Sequence, residues 1–288
     1  MSINKNEKRY WLHAITSLHV GAGRGLGYID MPIAREKVTN WPYIPGSSLK
    51  GVIADKYNAS DENRRNNDEL KAAFGTSGSD NECAAGALVF TDANMFCLPV
   101  RSFYGTFAWI TSPFCLRRLD ITLSDSPADN EALISPKSAL SKEEDGKFYL
   151  EDLDLNARKS EEAEKIARNA AGIIFADNKE WQKVFVERFA IVSDDIFTFL
   201  CEAGTEVSAH IKINDETGTA KDGALWYEEA LPVESILTGK IWCDKVFVKH
   251  LKPEDLFARF CSGEINIQIG GKASTGKGQA RCIFEEVQ

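Results

Sequence analysis

Two side chains near the start of the chain could do chemistry, and a glycine-rich loop separates them. His19 lies two residues before the run GAGRGLG (21–27), and Asp30 lies three residues after it. A histidine can transfer protons, and an aspartate can accept a proton or hold a divalent metal ion. Each residue also has a structural explanation, because aspartate is common in turns and a histidine at a strand end can simply be hydrogen-bonded.

Basic residues surround Asp30 in the sequence. Arg24, Arg35 and Lys37 flank it. Lys50 lies near the start of a predicted helix, where the helix dipole also favours anions. This arrangement suits an anionic polymer held beside a carboxylate.

The two glycine-rich loops depart from the nucleotide-binding fingerprints. In the first, GxGxxG would need glycine where Leu26 stands, and no βαβ pattern follows. In the second, GKASTGKG (271–278), Gly278 stands where a phosphate loop needs Ser or Thr, and only ten residues follow. We therefore exclude a nucleotide-hydrolysing fold. The second loop either binds an anion through its backbone amides, Lys272 and Lys277, or is a flexible strand connection.

The overall charge argues against nucleic acid, but its distribution points the other way. The 288-residue chain has 34 basic and 43 acidic side chains, a net charge of −9, whereas a free-standing nucleic-acid binder normally has excess Lys and Arg. Residues 1–52 and 240–282 each sum to +4, and residues 53–239 sum to −15. If the two ends meet in space, they form one basic surface.

Cysteine and histidine usage is typical of a reducing compartment. The seven cysteines include no CxxC pair, and the four histidines include no HxxxH pair, which argues against a disulfide framework or a zinc site. The polar N-terminus lacks the apolar segment of a signal peptide, and no apolar run reaches the roughly 18 residues of a membrane helix. We therefore expect a cytoplasmic protein with free thiols and no membrane contact.

Hydrophobic periodicity and turn residues predict an α+β fold with an antiparallel sheet. Residues 124–150 are polar and acidic and are expected to loop out. A long hairpin is predicted over 205–232, and its Trp226 and Tyr227 either stack on bases or pack as core. The remaining predicted strands are 8–20, 86–96, 236–243 and two within 264–287, and the predicted helices are 48–58, 68–75, 113–121, 161–174, 194–204 and 253–263.

Three segments together resemble the RAMP proteins of CRISPR effector complexes. They are HVGAGRGLGYIDMPIAREKVTNWPYIPGSSLKGVI (19–53), TEVSAHIKINDETGTAKDGALWYEEALP (205–232) and IGGKASTGKGQARC (269–282). The type III-A backbone subunits share the YIPGSSLKG and glycine-loop features. GRGLGYIDMPIARE together with GALWYEE is closer to the backbone subunits of type III-B (Cmr) complexes.

The resemblance implies a modified ferredoxin-like (RRM-like) RAMP palm with a β-hairpin thumb and inserted helical regions. It implies one RAMP domain over 1–288, with insertions at about 58–82 and 120–180 and the thumb at about 207–228. The implied partners are the guide crRNA, the target RNA, further copies stacked in a filament and other subunits of the complex. The acidic middle of the chain is then expected to face solvent or neighbouring subunits.

The resemblance also implies the site. Asp30 corresponds to the catalytic aspartate of the family and His19 to its neighbouring histidine. The implied chemistry is endoribonuclease cleavage by the RNA's own 2′-hydroxyl. Asp30 could act as the base for the 2′-hydroxyl, but free aspartate, with a pKa of about 3.9, is a weak base, so we favour its binding of a divalent Mg or Mn ion. The expected RNA-binding residues are Arg24, Arg35, Ser48, Lys50, Leu225, Trp226, Tyr227, Gly271, Lys272 and Lys277.

Two other functional classes remain open at this point. The chain could be a structural RNA-binding filament subunit without catalytic activity. It could also be a small-molecule enzyme that uses the glycine loops to hold a phosphorylated ligand.

Overall fold

The computed structural model describes residues 7–285 apart from 24, 26, 77–83, 143–145 and 215. Within these residues the helices are α1 (Gly46–Lys56), α2 (Asp61–Asn66), α3 (Asp68–Phe74), α4 (Pro113–Arg117), α5 (Glu161–Ile174), α6 (Lys179–Arg188), α7 (Asp194–Ala203) and α8 (Pro253–Phe260). A single 3₁₀ turn, Ala273–Thr275, lies in the second glycine loop.

The strands of the described residues are β1 (Glu7–Ala14), β2 (Tyr43–Ile44), β3 (Gly75–Thr76), β4 (Ala84–Ala85), β5 (Leu88–Phe90), β6 (Ala93–Arg101), β7 (Phe107–Thr111), β8 (Glu131–Ile134), β9 (Lys147–Leu150), β10 (Leu153–Lys159), β11 (Phe189–Val192), β12 (Glu206–Ile213), β13 (Ala220–Ala230), β14 (Ile236–Cys243), β15 (Glu264–Gln268) and β16 (Gln279–Phe284).

One large sheet organises the chain, in the order β15-β16-β1-β14-β6-β7-β11-β8-β10-β9. Its first half, from β15 to β7, is antiparallel, as the sequence predicts. In the second half β11 runs parallel to β7, and β10 runs parallel to β8. A bridge from Ser102 to Leu150 brings the outer strand β9 back to the end of β6, so this half of the sheet curls towards closure.

The expectation that residues 124–150 loop out is wrong. They contain β8 and β9, and the adjacent β10 joins the same sheet. β8 has only four residues, Glu131–Ile134, of which the last three are buried. A run this short carries no recognisable alternation, because its strand character comes from pairing with β10 and β11. Strands β7 and β11 and helix α6 were not predicted, for the same lack of a long periodic signal.

Each face of the sheet carries an apolar core, and β1 contributes to both. Tyr10 and Leu12 pack into the first core, with residues of α1, α3, α7 and α8. Trp11, between them in sequence, packs into the second core, with residues of α5 and α6. Since neighbouring side chains of a strand point to opposite faces, we place α8 and α5–α6 on opposite faces of the sheet.

Helix α1 begins two residues earlier than predicted. The helix begins at Gly46 and Pro45 occupies the N-cap position, so Ser47 and Ser48 lie in its first turn. The cap is supplied from a distant turn, because the Asp92 carboxylate accepts a hydrogen bond from the Gly46 amide at 2.8 Å. By contrast, α7 ends before Gly204 as predicted.

The six cysteines that the structure describes are buried and free, as expected from the sequence. The predicted 120–180 insertion holds β8, β9 and β10 as well as α5, and part of the predicted 58–82 insertion lies outside the described residues. Among the described helices, none is both long and apolar enough to cross a membrane.

Two glycines of α1 give a matched test of this packing. A Cβ at Gly46 would lie 2.4 Å from the carbonyl oxygen of Phe90 and 2.6 Å from that of Thr91, whereas a Cβ at Gly51 would meet nothing within 4 Å. We expect Gly46→Ala to destabilise the protein by about 1–3 kcal/mol through overpacking. Gly51→Ala should stabilise it by about 0.5–1 kcal/mol, because alanine loses less backbone entropy in a helix. Urea unfolding measures both, and equal effects of the two substitutions would contradict the packing described.

Candidate functional site

The first glycine loop runs back along the root of the hairpin formed by β12 and β13. Leu18 bridges to Leu231, and Met31 bridges to Glu228. The Met31 amide donates to the Tyr227 carbonyl at 3.1 Å, and the Glu229 amide donates to the Met31 carbonyl at 3.0 Å. The loop and the hairpin root therefore form one hydrogen-bonded unit.

The Asp30 carboxylate is held in place by the hairpin. Its Oδ2 accepts a hydrogen bond from the Tyr227 backbone amide at 2.8 Å. Its Oδ1 has no hydrogen-bond partner among the described residues, and the side chain is exposed. One carboxylate oxygen is thus fixed by the protein and the other faces solvent.

His19 is buried between the two glycine loops. Its Nδ1 lies 2.6 Å from the Glu229 carbonyl oxygen, which can only accept, so Nδ1 carries the proton and Nε2 is left with a lone pair in the neutral ring. A Cβ at Gly21 would lie 3.1 Å from that Nε2. The Gly271 amide also donates to the His19 carbonyl at 2.8 Å. The histidine is therefore oriented by the protein, with Nε2 towards the first loop.

Gly270 shows why the second loop needs glycine. Its φ is +82°, and a Cβ there would lie 2.3 Å from the His19 carbonyl oxygen. Only glycine combines this backbone conformation with this close approach. The loop at 270–278 thus packs directly on the strand end that carries His19, and the two ends of the chain meet as predicted.

A buried carboxylate that the sequence did not reveal ties this second loop to the hairpin. Glu228 is 1% exposed, and it lies 2.9 Å from the Lys272 ammonium and 3.1 Å from the Lys277 ammonium. Burial alone would raise the pKa of Glu228, but the two ammonium groups outweigh it and hold the pKa below its ordinary value. Lys272 and Lys277, predicted to bind RNA, are thus ion-paired within the chain.

The neighbouring Glu229 is a second buried carboxylate that was not predicted. It is 2% exposed, and it accepts hydrogen bonds from Arg35 Nη2 at 2.5 Å, Thr205 Oγ1 at 2.9 Å and the Ile33 amide at 3.1 Å. Adjacent residues of a strand point to opposite faces. Glu228 therefore binds the second glycine loop, while Glu229 binds the segment after the first.

Both glutamates correct the expectation that the acidic middle of the chain faces solvent or neighbouring subunits. They belong to the acidic region 53–239, yet they lie buried under the two basic ends. No sequence signal identified them, because their burial depends on loops about 200 residues earlier and about 40 residues later. The basic surface expected from the local charge sums is correspondingly weaker, since Arg35, Lys272 and Lys277 are each paired with one of these carboxylates.

The other predicted RNA-binding residues differ in their burial and in their hydrogen-bond partners within the chain. Arg35 also donates to the Asn40 and Cys201 carbonyls. Lys50 donates to the Leu88 carbonyl at 2.8 Å, and its pKa is lowered by burial and by the charge of Arg64. Ser48 is half-buried within α1. Arg24 lies outside the described residues. Binding of RNA by these residues stays a prediction.

The hairpin presents different chemistry on its two faces. One face is exposed and apolar, formed by Val207, Ile211, Ile213, Leu225 and Tyr227. On the other face Trp226 stacks on His210, with ring centroids 5.5 Å apart and planes 17° apart. Leu225 and Tyr227 are therefore exposed predicted RNA contacts, as is Gly271 in the second glycine loop, while Trp226 is half-buried.

A divalent ion at this site would meet the exposed Asp30 carboxylate. Among the described residues there is no group of three or more His, Cys, Asp or Glu side chains placed to hold a metal. Mg²⁺ is commonly bound by one or two carboxylates together with substrate phosphates and water. The free Oδ1 of Asp30 fits that mode, in which RNA would complete the coordination.

Comparison with known proteins identifies the fold. A family model described as the RAMP superfamily matches residues 11–281. This chain belongs to the RAMP superfamily. It is 32% identical over 288 residues to the CRISPR system Cmr endoribonuclease Cmr4 of Pyrococcus furiosus, a match that covers 96% of this chain and 95% of that protein. The two sequences thus align over almost their full lengths, in agreement with the resemblance to Cmr backbone subunits noted from the sequence.

Solved structures agree with this RAMP fold. The crystal structure of oligomeric Cmr4 from Pyrococcus furiosus superposes with a TM-score of 0.74 and 24% identity, covering 99% of this chain and 100% of that one. The corresponding chain of a type III-B Cmr-beta complex bound to cognate target RNA superposes with a TM-score of 0.72 and 19% identity, covering 96% of both chains. The modified ferredoxin-like RAMP fold with α+β composition is confirmed.

Glu228 supports a prediction about stability and pH. We expect Glu228→Gln to destabilise the protein by about 3 kcal/mol at neutral pH, because two lysines lose their buried counter-ion. Glu216→Gln, on the exposed hairpin loop, is the matched control and should change stability little. The folded pKa of Glu228 is lowered, so its contribution is complete above the unfolded pKa of about 4.3 and is lost as the pH falls through the folded pKa.

Denaturant unfolding at several pH values measures the difference between wild type and Glu228→Gln. The difference should shrink only in the acidic range. A difference that is small at neutral pH would mean that the two lysines do not depend on this carboxylate.

Proposed function

We propose that this chain is the backbone subunit of a type III-B CRISPR ribonucleoprotein. Copies of it bind the guide crRNA as a helical filament and cut complementary target RNA at regular intervals in antiviral defence. The 32% sequence identity to a Cmr endoribonuclease, over almost the full length of both proteins, supports this function. The observation that carries the catalytic assignment is the exposed Asp30 carboxylate, fixed by the hairpin root.

The hairpin links RNA geometry to the carboxylate. Cleavage by the 2′-hydroxyl requires this oxygen, the phosphorus and the leaving 5′-oxygen to be in line, and a regular A-form helix does not provide that alignment. The exposed apolar side chains of the hairpin, Leu225 and Tyr227 among them, would displace a nucleotide from the duplex. Because the Tyr227 amide also holds Asp30, the displaced nucleotide and the carboxylate would meet at one place.

The bonds that change are those of simple transesterification. The 2′-oxygen loses its proton and forms a bond to phosphorus, while the bond from phosphorus to the 5′-oxygen breaks. The products are a 2′,3′-cyclic phosphate and a 5′-hydroxyl that gains a proton. His19 Nε2, which carries the lone pair, is the group of the site best suited to accept the 2′-hydroxyl proton.

Asp30 would act through its free oxygen. We propose that Oδ1 would hold a divalent Mg or Mn ion. When bound, such an ion would stabilise negative charge on the phosphate and the leaving oxygen. Asp30 in this role orients the phosphate, and the hydrogen bond from Tyr227 keeps the carboxylate from rotating away.

The decisive experiment is Asp30→Asn in a reconstituted complex. Asparagine can still accept the Tyr227 hydrogen bond through its side-chain oxygen, but it loses the charge that binds a cation. Target binding should be retained within about twofold, and cleavage should fall by about 10³-fold or more, the scale of losing a major electrostatic contribution. Retained cleavage would exclude Asp30, and loss of RNA binding would indicate a structural role instead.

The RNA supplies an independent control. A target with a single 2′-deoxy nucleotide at one scissile position should escape cleavage there and be cut normally at the other positions. A purely structural filament subunit would leave the wild-type target uncut. A small-molecule enzyme would show no salt-sensitive RNA binding, whereas a filament subunit should lose affinity steeply as salt rises.

A further inference from the structure

A cleft of about 830 Å³ lies on the face of the sheet that carries the second core. It is bounded by the turn from α5 to α6 and by β1 and β16. We call it the acidic cleft and define it by Phe175, Asp177, Trp181, Glu234, Glu264 and Glu285. Phe175 and Trp181 stack as its apolar wall, with ring centroids 6.0 Å apart.

A continuous network of hydrogen bonds between polar side chains forms the floor of the acidic cleft. Arg281 Nε donates to Glu264 at 2.8 Å, and its Nη1 lies 3.3 Å from His13 Nδ1. A guanidinium only donates, so His13 Nδ1 accepts and His13 Nε2 donates to Glu234 at 2.7 Å.

The cleft therefore has an excess of negative charge. Its four carboxylates face one guanidinium, and Asp177 has no hydrogen-bond or ion-pair partner among the described residues. An aromatic wall beside this excess of negative charge fits an apolar side chain flanked by ammonium groups. A neutral or anionic ligand would leave this charge uncompensated.

The same chain carries a segment of that chemistry. Residues 244–252, which we call the basic loop, contain three lysines and one aspartate. Phe247 in this loop is 69% exposed, and the Lys245 ammonium lies 5.4 Å from the centre of its ring. Lys249 is exposed and has no ion-pair partner in the described part of the chain.

The basic loop is held firmly although its tip is exposed. Val246, Val248 and Leu251 pack against the first core, whereas Phe247 and Lys249 between them are exposed. An exposed phenyl ring on an anchored loop costs little ordering entropy when it binds. This is the behaviour of a preformed contact residue.

The acidic cleft and the basic loop lie on opposite faces of the sheet. The loop packs on the first core together with α8, and the cleft borders the second core. The loop and the cleft of one copy therefore cannot touch each other. The face of the sheet that carries the loop in one copy can, however, contact the face that carries the cleft in the next copy. Such a contact is heterologous, and repeated contacts of this kind build an open filament instead of a closed dimer.

We propose that the acidic cleft of one copy receives the basic loop of the next copy. Phe247 then packs against Phe175 and Trp181, and the lysines of the loop compensate the excess negative charge of the cleft, including that of Asp177. This inference deepens the proposed function, since it names the surfaces by which copies stack. It is independent of the chemistry at Asp30.

A charge swap tests the contact most sharply. Lys249→Glu makes the loop less basic, and Asp177→Lys makes the cleft less acidic, so each variant alone should associate at least about tenfold more weakly than wild type. In an equimolar mixture the two variants can alternate along the filament. The altered loop of one variant then meets the altered cleft of the other, and the unaltered loop meets the unaltered cleft, so every junction joins opposite charges. The mixture should therefore recover assembly.

Sedimentation velocity without RNA, at low and high salt, measures this assembly. Lys165→Glu is the control, because Lys165 is exposed on α5 about two turns before the cleft, and it should assemble as wild type. Phe247→Ala is a second variant that should fold normally, since its side chain is exposed, and should assemble at least about tenfold more weakly.

Three results would overturn the proposal. They are a wild-type chain that stays monomeric at low salt, single variants that assemble like wild type, and a mixture that recovers nothing. Asp30→Asn should assemble normally in the same measurement. Failure of RNA cleavage and failure of this contact are therefore separately visible.

Discussion

Two adjacent buried glutamates at the root of a hairpin hold the site together. Glu228 pairs with the lysines of the C-terminal glycine loop, and Glu229 binds Arg35 beyond the N-terminal one. Buried carboxylates are tolerated only when they are paired and hydrogen-bonded, so each glutamate requires its partner loop in place. The constraint joins segments from both ends of the chain to β13.

This constraint bears on the proposed binding of RNA by an acidic protein. Most of the positive charge in the glycine loops is used internally, which limits nonspecific attraction of RNA to a single copy. The Asp30 carboxylate, which we propose to be catalytic, is hydrogen-bonded through the Tyr227 amide to the strand that carries the exposed apolar face of the hairpin. In the proposed mechanism, a nucleotide displaced by the hairpin would therefore lie beside this carboxylate.

The sequence predicted the parts of the site that are local. His19, Asp30 and the two glycine loops stand in contiguous motifs, and the hairpin has clear alternation and a polar turn. The burial of Glu228 and Glu229 was not predicted, because two adjacent glutamates in a strand do not by themselves indicate burial. The loops that cover them lie far away in sequence. The same reason hid β8 and β11, whose four-residue runs become strands only through their neighbours.

The central claim is that the hairpin root positions the catalytic carboxylate. Single-turnover cleavage by a complex containing Glu229→Gln tests it directly, after thermal unfolding has established that the variant is folded at the assay temperature. The account predicts target binding within about twofold of wild type and cleavage slowed about tenfold or more, since small displacements of a positioned group are costly. A folded variant that cleaves at the wild-type rate would contradict the claim.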